Sequence, residues 1–151
     1  MFVEERRLST TAIIKRIAAI FLLVAFFLPL SQCTITMPNA ETKAIEKKTH
    51  VIYAYTAYEW PSVQSLATYA AFIWPLTFGI ASLVWPSLNQ KWMIGVLEML
   101  LCVGSGFTLF GLSFLGSLQY GGYIAWGAIG IYFITTSVEF ATRIRKKWSK
   151  Q

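Results

Sequence analysis

The sequence predicts an all-α integral membrane protein, a bundle of four transmembrane helices with both termini in the cytoplasm. Three observations carry that reading. The chain has 151 residues, 56% of them hydrophobic and only 13% charged, where a soluble domain carries about 25% charged residues. The apolar residues gather in four runs, each near the roughly 20 residues that a helix needs to cross a hydrocarbon core about 30 Å thick. The cations gather at the ends of those runs, mostly on one side.

The first run covers about 17–35 (IAAIFLLVAFFLPLSQCTI), the second about 66–85, the third about 92–115 and the fourth about 122–141, with an outer loop over about 36–65. Backbone N–H and C=O groups inside hydrocarbon must be satisfied within the protein, which helices do locally. A barrel is excluded because none of the runs alternates polar and apolar residues with a period of two.

Orientation follows from lysine and arginine. Four spans place the N-terminal flank, the second connection with Lys91 and the C-terminal tail on one side, with ten cations against three in the outer loop. The excess faces the cytoplasm, so the expected location is the plasma membrane, the inner membrane of a bacterium. These helix-end cations also account for the basic pI of 9.5 as anchors for anionic headgroups. The tail RIRKKWSK lies in no recognition module, so nucleic acid is not an expected partner.

Residues 1–33 resemble a lipoprotein signal, with a basic start, an apolar centre and Leu30-Ser31-Gln32-Cys33 at the end. That resemblance implies cleavage and a lipidated Cys33. Gln32 stands where lipoproteins carry a small residue, and the reading taken is an uncleaved first span. Cys33 and Cys102 then differ in depth by roughly 15 Å, beyond the roughly 7 Å that a disulfide spans.

Catalytic constellations are missing. The sequence contains no aspartate and a single histidine, His50, which excludes a Ser-His-Asp triad, a multi-His metal site and a bis-His haem within one copy. No metal or cofactor is expected. Gly104-Ser105-Gly106 lacks the following lysine of a phosphate loop. His50 and Glu59 in the outer loop are a thin basis for an enzyme.

The outer loop begins with a charged half and a turn at Pro38-Asn39, then becomes aromatic, VIYAYTAYEW. The second half suits a short strand or an interfacial segment. Tyr53, Tyr55, Tyr58 and Trp60 fit an aromatic belt at the membrane–water boundary, with a stacking face for a sugar or a cation as the other reading. Trp60-Pro61 and Trp85-Pro86 bracket the second run as helix start and stop. Pro75 falls inside it, where it deprives the Ala71 carbonyl of its usual donor and predicts a kink.

Two glutamates lie in apolar helices. Glu98 is six residues past Trp92, about 9 Å inside its helix. A carboxylate at mid-helix costs about 2.5–3.5 kcal/mol on insertion scales. Helical spacing puts Gly95, Glu98, Cys102, Ser105, Leu109, Leu112 and Gly116 on one stripe, and Gly121, Ala125, Ala128, Tyr132, Thr135 and Glu139 on a matching stripe of the next helix. Small and polar residues there predict packing against other helices. Glu139 is four residues before Arg143 and reads as a surface pair. Three readings stay open for Glu98: a titrating proton or cation site, a carboxylate neutralised by Lys91, Lys15, Arg16 or a tail cation, and a contact with a basic residue of another subunit.

The function expected from these features is a non-catalytic accessory or assembly subunit that packs against other membrane proteins in the lipid. The alternative is a small homo-oligomeric proton- or cation-linked transporter or channel using Glu98. Four spans are shared with small multidrug exporters, but the essential glutamate of those proteins lies in a first helix that here carries no acidic residue within its apolar run.

Overall fold

The computed structural model describes residues 2–38, 45–58, 62–84, 92–114 and 116–148. The elements run α1 (Phe2–Phe27), β1 (Pro29–Pro38), β2 (Ile45–Tyr53), α2 (Val63–Val84), α3 (Trp92–Phe114), β3 (Ser117–Leu118) and α4 (Tyr120–Trp148). Each of the four helices is long and apolar enough to cross a membrane. They form a ring in which α1 packs on α2 and α4, and α3 packs on the same two.

The first helix departs from the expected boundaries. It ends at Phe27, and residues expected to complete the span form β1 instead. Pro29 has no N–H to donate, and its ring turns Leu28 away from helical geometry. Beyond it Thr34 and Thr36 bring the β-branched side chains that suit a pleated strand. An apolar run alone does not distinguish these two outcomes. The apolar stretch of α1 is therefore Thr10–Phe27, and it carries Lys15 and Arg16 inside it rather than on its flank.

The described residues between α1 and α2 also depart from an all-α reading. β1 and β2 form an antiparallel hairpin with Pro29 opposite Tyr53 and Pro38 opposite Ile45. β3, in the short connection between α3 and α4, adds to the other edge of β1 through Ser31–Leu118 and Gln32–Ser117. The sheet order is β2-β1-β3, and the sheet closes the end of the bundle where α1 and α3 finish and α4 begins. Close backbone approach makes this possible. A Cβ at Gly116 would stand 2.5 Å from the Gln32 carbonyl oxygen, and one at Gly121 would stand 2.6 Å from that of Pro29. The Ser31 hydroxyl pins the strand to α3 by donating to the Leu112 carbonyl at 2.7 Å.

α2 opens on a reciprocal cap. The Ser65 N–H donates to the Ser62 hydroxyl at 3.0 Å and the Ser62 N–H to the Ser65 hydroxyl at 3.1 Å, which satisfies two N–H groups at the helix start. The helix then continues through Pro75. The carbonyl of Ala71 finds its donor in α3, where the Ser105 hydroxyl lies 3.0 Å away. Ser105 in turn accepts from the Trp74 indole at 2.7 Å.

The interior is layered along the bundle. Nearest the sheet, Leu22, Phe26, Leu30, Phe72, Leu109, Leu112 and Ile129 form the main apolar core. Below it Ala18, Trp74, Cys102 and Tyr132 form a second cluster, with the Trp74 and Tyr132 rings edge to face at 5.2 Å. The third layer is ionic.

Candidate functional site

Lys15 from α1, Glu98 from α3 and Glu139 from α4 meet in that third layer. The ammonium of Lys15 donates to Glu98 Oε2 at 2.7 Å and to Glu139 Oε2 at 2.8 Å. The three side chains are only 9%, 7% and 8% exposed. Tyr132 donates its hydroxyl to Glu98 Oε1 at 3.2 Å, and the Lys15 ammonium lies 5.5 Å from the centre of the Tyr132 ring, within cation–π range. Arg143 completes the set at 3.4 Å from Glu139 Oε2. Two cations thus face two carboxylates, and the charge closes within one chain.

Sequence pattern explains how each helix delivers its residue. Gly95, Glu98, Cys102, Ser105, Leu109 and Leu112 are all buried along α3. Gly121, Ala125, Ala128, Tyr132, Thr135 and Glu139 are all buried along α4. The small residues bring the helices close, since a Cβ at Gly95 would already stand 3.2 Å from the Phe140 ring. Glu98 then lies within reach of α1 and α4 at once.

Two expectations change. Glu139 is not a surface pair: it is buried, shared between Lys15 and Arg143, because the α1–α4 contact covers the face on which it sits. The cation that holds Glu98 is Lys15, drawn into the bundle by the early end of α1. Lys91, Trp60, Pro61, Trp85 and Pro86 lie outside the described residues. Tyr53 is half-buried and Tyr55 and Tyr58 are exposed. The ring of Tyr55 stacks at 5.4 Å on Tyr53 and at 6.2 Å on Phe26, so this segment sits over the end of α1. Gly104, Gly106, Gly111, Gly127 and Gly130 have no neighbouring atom within 4 Å of a built Cβ. They do not mediate packing inside the bundle.

The layer borders a small, partly open cavity of about 20 Å³, walled by Lys15, Glu98, Tyr132 and Glu139 with Arg16 and, from α2, Phe78, Gly79 and Ser82. A water needs about 10–15 Å³, so the space is about the size of one water. Among the described residues no group of three or more His, Cys, Asp or Glu gathers to hold a metal ion. The arrangement joins three helices through charge-assisted hydrogen bonds.

Comparison of the chain with protein-family models, with curated proteins and with solved structures finds no match.

Proposed function

We propose that the chain is a multi-pass protein of the bacterial inner membrane and a non-catalytic accessory or assembly subunit of a larger membrane complex. The observation that carries this reading is the closed charge balance of Lys15, Glu98, Glu139 and Arg143 around a cavity of about 20 Å³. A transport path needs a carboxylate that exchanges its partner with a passing ion. Here both carboxylates are already held by cations of the same chain. The bundle instead offers its outside: Leu100, Phe107, Phe110 and Phe114 of α3 and Ile134 of α4 are exposed, suited to lipid or to helices of partners.

With Lys15 and Arg16 counted inside the first span and Arg143 and Arg145 inside the fourth, the termini and the α2–α3 connection still hold six cations against three in the segment between α1 and α2. The positive-inside bias therefore keeps both termini cytoplasmic and puts the sheet outside.

The test is Glu98→Gln. In the accessory reading this variant lowers the yield of assembled complex, while reconstituted wild type carries no proton flux above that of empty liposomes. A wild-type proton flux that Glu98→Gln abolishes would overturn it in favour of the transporter.

A further inference from the structure

Arg16 is the cation that the ionic layer leaves over. Lys15 and Arg143 already balance Glu98 and Glu139, and among the described residues Arg16 makes no hydrogen bond or ion pair; its Nε is buried without a partner. Arg16 borders the cavity of Glu98 and Glu139 without pairing with either, and a guanidinium partly removed from water with no direct partner is costly. Its surroundings show where a counter-charge can come from. Arg16 heads an apolar groove of about 160 Å³ between α1 and α2, formed with Ala19, Ile20, Leu76, Gly79 and Ile80. Ile20 and Ile80 are both about half exposed and present their branched side chains to whatever surrounds the bundle. Gly79 lies beside the arginine, whose Cγ would stand in ordinary contact, 3.8 Å, with a Cβ built there.

We infer that this groove binds an anionic phospholipid, with the phosphate on the Arg16 guanidinium and an acyl chain along Ile20 and Ile80. Arg16 is six residues past Thr10, about 9 Å along α1 from the start of its apolar stretch. An arginine at that depth is long enough to bring its guanidinium to the headgroup layer while its methylenes stay among apolar neighbours. A guanidinium presents a planar fork of N–H donors that matches phosphate oxygens in pairs. A zwitterionic lipid offers the same phosphate together with a competing cation, so the site discriminates by net charge. The larger groove of about 340 Å³ between α1 and α4 is lined only by Ile14, Ile17, Ala18, Phe21, Ile124, Gly127, Ala128 and Ile131, and it has no charge with which to select a headgroup.

This inference rests on the membrane reading, which carbonate-resistant insertion into vesicles reports separately. Full-length protein in a non-ionic detergent is titrated with phosphatidylglycerol or phosphatidylcholine, and bound lipid is counted by native mass spectrometry. The wild type prefers phosphatidylglycerol by about tenfold, the size expected of a charge-assisted contact. Arg16→Gln loses that preference, Arg16→Lys keeps part of it, and Ile80→Trp, which fills the groove from an exposed position, weakens both lipids. Gly127→Leu, in the other groove, leaves the preference intact. Equal binding of the two lipids by wild-type protein that inserts into vesicles would overturn the inference, as would an unchanged preference in Arg16→Gln.

Discussion

Lys15 is the residue on which the interior depends most. Removing it leaves two carboxylates of which only Glu139 keeps an ion pair among the described residues, with Arg143 at the longer distance of 3.4 Å. Stripping one partner from a buried ion pair costs about 3–5 kcal/mol. Lys15→Met is therefore expected to lower the thermal midpoint in detergent far more than Glu98→Gln, which leaves Lys15 paired with Glu139. Lys15→Met combined with Glu98→Gln and Glu139→Gln should recover most of the loss, because no unpaired charge is left in the interior. A triple variant no more stable than Lys15→Met would show that packing, and not charge balance, sets the cost.

Ser105 acts between elements. One hydroxyl accepts from the Trp74 indole and donates to the Ala71 carbonyl that Pro75 leaves open. Ser105→Ala leaves two buried polar groups unpaired and should cost about 1–3 kcal/mol. Pro75→Ala restores a backbone donor for Ala71, so it should stabilise the Ser105→Ala variant more than the wild type. Strictly additive thermal shifts would contradict this coupling. The glycines divide in the same experiment. Gly121→Ala pushes a Cβ against the Pro29 carbonyl and should cost about 1–3 kcal/mol as an overpacked contact. Gly104→Ala and Gly111→Ala meet open space and should gain up to about 1 kcal/mol from helix propensity.

At this scale the sequence was readable where a period was present. The 3.6-residue spacing of small and polar residues marks the faces of α3 and α4 that are buried, and Glu98 and Glu139 lie on them. It was unreadable where only an apolar run was available. Counting hydrophobic residues carries the first helix on to Ile35, whereas Pro29 stops it at Phe27, and counting back from that proline puts Lys15 and Arg16 inside. The partner of Glu98 was therefore hidden by a boundary. The hairpin was hidden for a related reason, since strand pairing between 29–38 and 45–53 is non-local and leaves no mark within either segment. Ser62 and Ser65 gave a local signal for the start of α2, three residues apart, which the neighbouring Pro61 masks.

Among the described residues the paired charges Lys15, Glu98, Glu139 and Arg143 are turned inward, while large apolar side chains are exposed along all four helices and a sheet lies at one end. Such a distribution suits a protein whose work is done by contact. Extraction of the native protein into lipid nanodiscs, followed by native mass measurement and identification of every component, tests this most directly. The account predicts a discrete assembly in which this chain and at least one other membrane protein occur in fixed stoichiometry. A particle made only of copies of this chain, conducting protons when reconstituted, would contradict it and make Glu98 the residue to titrate.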